Sequence, residues 1–221
     1  MLFTLLRNGG QLSLFEMLLM FFSYVALLFV MLPVHELAHA FVADRLGDPT
    51  PRWNGRLRLN PFAHLDTVGA LMLILVGYGY ARPVPVNPRN LRRPQRDMAL
   101  IALAGPLSNI LMAAVSMIVF RLLCLLPLTE AVFGALQLVF IGVFVSVNLG
   151  LAVFNLLPVP PLDGSRILSL ILPSRILDFM DRYEQQIRWV VLILIFSGAL
   201  DGPLSTAQGF LFSLLARLLW W

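Results

Sequence analysis

The sequence predicts an all-α polytopic membrane protein of about five to six membrane segments, with a small β-hairpin or re-entrant insertion after the first helix. Three observations carry this reading. The chain of 221 residues is 59% hydrophobic and only 13% charged, with a mean hydropathy of +0.84. A soluble domain of this size cannot cover that much apolar side chain, whereas hydrocarbon accepts it. Apolar runs of membrane length recur along the chain, separated by segments rich in Pro, Gly and Arg. The arginines flank those runs, which is how topology is encoded.

Taken in order, residues 1–10 end in Asn8-Gly9-Gly10, a turn signal. Gln11 to Leu46 reads as one helix, and its apolar part, Met17 to Ala43, exceeds the roughly 20 residues that span hydrocarbon. This run is too long for a cleavable signal peptide. Pro33 removes one backbone bond within it and predicts a kink. Residues 47–66 are rich in Gly, Pro and Arg, and Arg56-Leu57-Arg58-Leu59 alternates like a strand. Residues 67–80 are apolar but short for a span, so a re-entrant segment is expected. Residues 81–97 are polar and Pro-rich, with Val84-Pro85-Val86 as a candidate edge strand.

A second long helix is expected over 98–126, with Ala104-Gly105-Pro106-Leu107-Ser108-Asn109 supplying small residues for close helix contact. A third, 131–157, is broken by Pro158, Pro160 and Pro161 ahead of Asp163-Gly164. Residues 165–186 look amphipathic and interfacial. The runs 187–200 and 204–219 are either a fifth and sixth membrane segment or a shallow hairpin. The expected organisation is a single domain over 1–221, with a core at 11–172 and C-terminal membrane segments at 187–221.

Orientation follows from charge. If the first helix runs from outside to inside, Arg45, Arg52, Arg56, Arg58, Arg82, Arg89, Arg92, Arg93 and Arg96 face the cytoplasm, with Arg166, Arg175, Arg182, Arg188 and Arg217. Only Arg7 lies outside, with Arg121 near the outer end of its helix. The positive-inside rule therefore puts the N-terminus outside and the C-terminus in the cytoplasm. The net charge of +4 does not indicate a nucleic-acid partner, since no basic stripe with interleaved aromatics accompanies it. Every basic residue is Arg, and no function follows from that. Cys124 stands alone and can complete neither an internal disulfide nor a thiolate zinc site.

Two places carry groups that lipid should forbid. The first is His35-Glu36-Leu37-Ala38-His39. Helical residues i and i+4 share a face, so both imidazoles can reach one ion. Zinc takes such nitrogen ligands and needs a third ligand plus an open water position for catalysis. Glu36 is placed to accept a proton from that water. Each of these polar groups costs about 2–3 kcal/mol to insert in a membrane helix, so three together require compensation. With Arg45 at the interface, His39 lies about 9 Å and His35 about 15 Å below it in an untilted helix.

The second place is Asn155-Leu156-Leu157-Pro158-Val159-Pro160-Pro161-Leu162-Asp163-Gly164. Irregular backbone at membrane depth persists only when buried in protein or lining a watery cavity. Asp163 is the natural third ligand, the alternative being a helix N-cap on 165–172. Asn155 is a candidate oxyanion donor, the alternative being a cap for carbonyls of the broken helix. His64 either contacts substrate, orients a zinc ligand, or pairs with Asp66 or a carbonyl as an ordinary loop histidine. Trp53, Trp189, Trp220 and Trp221 read as interface anchors.

The HELAH sequence in one long helix, AGPLSN in the next and FNLLPVPPLDG ending a third resemble the site-2 protease family of intramembrane zinc metalloproteases. The stretches GDPTPRWNGRLRLNPFAHLD and RPVPVNPRNLRRPQRDMALIALAGPLSN are similar to its compact prokaryotic branch, and the resemblance extends from Val34 to about Leu172. It implies that His35, His39 and Asp163 bind Zn2+, that Glu36 is catalytic and that Asn155 assists the transition state. It further implies an integral protein of a prokaryotic plasma membrane that cleaves transmembrane helices of other membrane proteins. The PDZ and CBS domains of many members have no counterpart here, so their regulation does not transfer. A catalytically silent scaffold of the same fold and a metal transporter are the alternatives. The intact HELAH and LDG argue against the first. The scarcity of carboxylates and histidines along the later helices argues against the second.

Overall fold

The computed structural model describes residues 13–64 and 82–219, and the described residues are helical with no strand. Helix α1 is Leu14–Arg45. It starts at a reciprocal cap in which the Ser13 side chain accepts from the Glu16 N–H and Glu16 accepts from the Ser13 N–H. The helix continues through Pro33. Two single turns follow, α2 (Thr50–Trp53) and α3 (Pro61–His64), and later a 3₁₀ turn at Pro88–Asn90. Helix α4 is Pro94–Leu123, with Pro94 at its first position, where no N–H is needed.

Helix α5 spans Glu130–Asn155. It begins at a Thr129 cap and ends before the proline cluster, as the sequence predicts. It is not a uniform α-helix: Leu138–Val145 is a π-helical stretch of eight residues. The Ser146 hydroxyl donates to Ile141 O at 3.1 Å. The Ser146 carbonyl accepts from the Gln208 side chain at 2.9 Å. Four helices complete the chain: α6 (Asp163–Leu168), α7 (Ser174–Arg182), α8 (Glu184–Phe196) and α9 (Asp201–Leu218).

Among the described residues, three helices are long and apolar enough to cross a membrane: α1, α4 and α5. The expected fifth and sixth segments correspond to α8 and α9. The 13 residues of α8 rise only about 20 Å, short of the roughly 30 Å hydrocarbon core. Helix α4 is the most enclosed of the three spans and touches α1, α5 and α6. Close approach is possible because small residues line the contacts. Ala40, Ala43, Ala113 and Ala152 are fully buried, as van der Waals packing between membrane helices requires. Leu27 and Met31 of α1 pack against Val143 of α5. Ala113 and Met117 of α4 pack with Val145 and Leu149, and α9 covers that cluster through Leu211, Phe212 and Leu215. The outer faces carry exposed Phe15, Phe22, Leu111 and Leu125, suited to lipid.

The two expected strands do not form a hairpin in the described residues. Residues 56–59 and 84–86 carry no ladder among the described residues. In the first, the Arg58 carbonyl is taken by His64 Nε2, and the Arg56 side chain is turned onto Ala63 O and Arg82 O. Residues 84–86 have no backbone partner among the described residues. The re-entrant expectation for 67–80, the turn at 8–10, Asp66, Trp220 and Trp221 lie outside the described residues.

Candidate metal centre

Helix α1 places His35 and His39 one above the other, with ring centroids 4.7 Å apart and planes at 83°. Both side chains are 10% exposed. The irregular segment after α5 delivers Asp163 to the same point. Its Oδ2 lies 3.4 Å from His35 Nε2 and 3.5 Å from His39 Nε2. These separations are long for hydrogen bonds. Among the described residues these three form the one His/Cys/Asp/Glu group with ligand atoms mutually within 4.8 Å.

Asp163 heads α6, yet the cap position is Leu162 and no side chain caps it. The capping alternative for Asp163 is therefore not what the side chain does. Ser165 instead turns its hydroxyl onto Leu162 O at 2.7 Å. Gly164 is required by space, since a Cβ there would collide with the carbonyl oxygens of Leu156 and Leu157. Gly105 of α4 is required for the same reason. A Cβ there would fall within contact distance of His39 Nε2 and His35 Cε1. The AGPLSN segment thus forms the floor under both imidazoles.

The donor set fits a zinc ion. His39 Nδ1 bonds Ile101 O at 2.7 Å, and a carbonyl only accepts, so the proton sits on Nδ1 and leaves Nε2 as a lone-pair donor. That Nε2 lies 3.0 Å from His35 Nε2. Asp163 Oδ2 is buried with no hydrogen-bond partner among the described residues. Two imidazole nitrogens and a carboxylate oxygen thus converge on one point, the nitrogen and oxygen donor set that a zinc ion takes. Glu36, also in α1, is 8% exposed and joins no ion pair among the described residues.

The other predicted site residues are placed differently. Asn155 closes α5, and its side-chain N–H donates to Leu151 O at 3.0 Å. One of its two amide hydrogens is therefore held by its own helix. His64 is fully buried and sits away from the cluster, bonded through Nε2 to Arg58 O at 2.8 Å. That nitrogen is satisfied, while its Nδ1 is buried without a partner among the described residues. Trp53 and Trp189 are exposed.

Sequence reasoning passed over two buried charged residues near this centre. Arg56 is 6% exposed. Burial, and then the charge of Arg82, lower its pKa, and the carboxylate of Glu36 acts in the opposite sense. Asp48 is wholly buried. Burial alone would raise its pKa, but hydrogen bonds from Thr50, Asn90 and Asn87 outweigh it and hold the carboxyl below its usual range. The available signals were an arginine inside an apolar alternation and the Asp48-Pro49-Thr50 turn pattern.

Comparison with known proteins agrees with this geometry. The family model described as "Peptidase family M50" matches residues 23–144 and 129–198. The Bacillus subtilis protein named "Putative zinc metalloprotease YwhC" is 38% identical over 173 residues, covering 78% of each chain. "Putative zinc metalloprotease Rip2" of Mycolicibacterium smegmatis is 32% identical over 59% of this chain and 50% of its own length. A Methanocaldococcus jannaschii protein, also named as a putative zinc metalloprotease, is 32% identical over 61% of this chain and 63% of its own. No solved structure matches the chain significantly. With a paired-histidine helix facing an aspartate, and with the family model and relatives covering most of its length, the chain belongs to peptidase family M50, the site-2 proteases.

Proposed function

We propose that this membrane metalloprotease hydrolyses peptide bonds in or beside transmembrane segments of other membrane proteins, with His35, His39 and Asp163 holding Zn2+ and Glu36 as general base. The observation that carries the reading is the convergence of two imidazole nitrogens and an unpartnered carboxylate oxygen inside an apolar bundle. When bound, zinc supplies Lewis-acid polarisation of a carbonyl and acidifies water. The protein's own groups do the rest. Ile101 O fixes the His39 tautomer, Gly105 leaves room for both rings, and Glu36 takes the proton of the attacking water and returns it to the leaving amine. Asn155 contributes its second amide hydrogen to the developing oxyanion. The test is Glu36→Gln in the full chain. It keeps zinc and loses most activity, whereas activity near wild type would overturn the mechanism. A catalytically silent scaffold is not favoured by a match to a peptidase family model and by relatives named as putative zinc metalloproteases.

The whole chain, 1–221, acts as one domain with its catalytic core at 11–172. Helices α8 and α9 are further membrane-embedded segments beside the three spans, α8 being too short to cross on its own. The N-terminus lies outside and the C-terminus in the cytoplasm of a prokaryotic cell. A reporter fused after Trp221 that works only in an exported compartment would refute that orientation.

A helical peptide bond is a poor substrate, because its carbonyl is bonded within the helix and screened by side chains. Unwinding in lipid exposes backbone groups at several kcal/mol each unless partners are ready. We read residues 84–86, which lie outside any helix, as the segment that supplies them. Val84 and Val86 form no backbone hydrogen bond among the described residues, and as i and i+2 of an extended chain they offer N–H and C=O on one side. Pro83 and Pro85 leave the other side without donors. Residues 56–59 are less suitable, since Arg58 O is already taken by His64.

A further inference from the structure

The segment carrying Val84 and Val86 is held at both ends by buried charge. At its start, the Arg82 N–H donates to His64 O at 2.8 Å. The Arg82 carbonyl accepts from Arg56 Nη1 at 3.2 Å, and the same nitrogen donates to Ala63 O. One guanidinium therefore bridges the two chain segments that flank residues 65–81. At the far end, the Asn87 N–H donates to Asp48 Oδ2 at 2.7 Å. The Asn90 side chain donates to Asp48 Oδ1 at 2.7 Å, and Thr50 adds its N–H at 3.1 Å and its hydroxyl at 2.6 Å.

Asp48 is itself tied to the catalytic helix, because its N–H donates to Ala43 O at 3.0 Å. Between the anchors, Pro83 and Pro85 restrict φ. Val86 packs on the cluster of Ala43, Leu91 and Ile101. Ile101 is the residue whose carbonyl holds His39. Asp48 has no exposed surface and Arg56 only 6%, although both belong to a loop region whose carbonyls and amides water would otherwise serve. Ordinary loop closure does not need a carboxylate with four donors at one end and a guanidinium with two carbonyls at the other.

We propose that Asp48 and Arg56 are positioning residues for the substrate: two buried clamps that hold Arg82–Asn87 extended beside the catalytic end of α1, so that it is ordered before a substrate chain arrives. This rests on the proposal that the segment meets the unwound substrate. Preorganisation of this kind removes an ordering cost from binding and leaves the chemical step alone. The effect therefore belongs in KM.

The experiment uses the full-length zinc-loaded protein in liposomes. The probe is a labelled single-span peptide carrying Gly-Pro in the cytoplasmic half of its helix. Arg56→Ala and Asp48→Ala should each raise KM by about 10–100-fold, with kcat and zinc content close to wild type. Arg56→Lys, which keeps the charge but loses the planar guanidinium fork and its reach, and Asp48→Asn, which keeps one acceptor oxygen, should give intermediate KM. These milder variants also decide the matter if an alanine variant fails to fold. Loss of kcat at unchanged KM, or wild-type KM in both conservative variants, would overturn the clamps. Glu36→Gln in the same assay separates the two levels. If it cleaves as fast as wild type, the reading of the catalytic centre fails. If it is inactive while the clamp variants keep wild-type KM, only the clamps fail.

Discussion

Asp163 and Asp48 are both aspartates placed where an apolar fold should not tolerate them, and they are satisfied in opposite ways. Asp48 is closed. Its carboxylate accepts from Thr50 twice, from Asn87 and from Asn90. Asp163 is open. Its Oδ2 is buried without a hydrogen bond among the described residues and faces two imidazole nitrogens at 3.4 Å and 3.5 Å. A buried carboxylate that the protein saturates organises the protein, whereas one left bare beside lone pairs awaits a cation.

The contrast is broken most severely by exchanging the chemistry at Asp163. Asp163→Asn keeps the shape and removes the charge, and zinc content and activity should both collapse, as in His35→Ala and His39→Ala. Asp48→Asn should leave zinc bound. Equal zinc content in the two asparagine variants, measured by atomic emission, would abolish the distinction. Next in size is Asn155→Ala, which should lower turnover by about 10²–10³ if its free N–H reaches the oxyanion. A change confined to KM would assign it to substrate positioning.

Gly105→Ala probes the floor of the open site without touching a ligand. Its Cβ would intrude on His39 and His35, so zinc affinity should fall by about 10–100-fold, the range seen when the surroundings of a ligand are disturbed. A competitive chelator titration at unchanged protein content reads this, and wild-type affinity would mean that α1 and α4 are less tightly apposed than described. The smallest effect sits in the substrate. Replacing Gly, Pro or Asn near the cut by Leu should slow cleavage while abundance and insertion hold. A uniformly Leu helix cut equally fast at the same depth would show that unwinding is not limiting.

The sequence made the open site legible because its logic is local. An i, i+4 histidine pair, a proline cluster that ends a helix and an aspartate at the break are each visible in a short window, and lipid makes such groups conspicuous. The end of the third helix was readable to within two residues, 157 against Asn155, because the prolines that follow act directly on the backbone, whereas the start of the second, expected at 98, lies at Pro94, whose place at a first helical turn was not recognised. The closed site was not legible, because Asp48 meets Asn87 across 39 residues and Arg56 meets Arg82 across 26. No periodicity reports such contacts. The alternation at 56–59 suggested a strand, but the tertiary bonds of Arg56 and His64 overrode it. The π-helical stretch Leu138–Val145 lies in a run of apolar residues with no local signal.

The central claim is that one zinc ion sits among His35, His39 and Asp163. X-ray absorption at the zinc edge of the purified full-length protein tests it most directly. The account predicts about one zinc per chain, with two imidazole nitrogens at about 2.0–2.1 Å, carboxylate oxygen at about 2.0–2.2 Å and the remaining position light-atom. A sulfur scatterer from Cys124, or a third imidazole that disappears in His64→Ala, would contradict it.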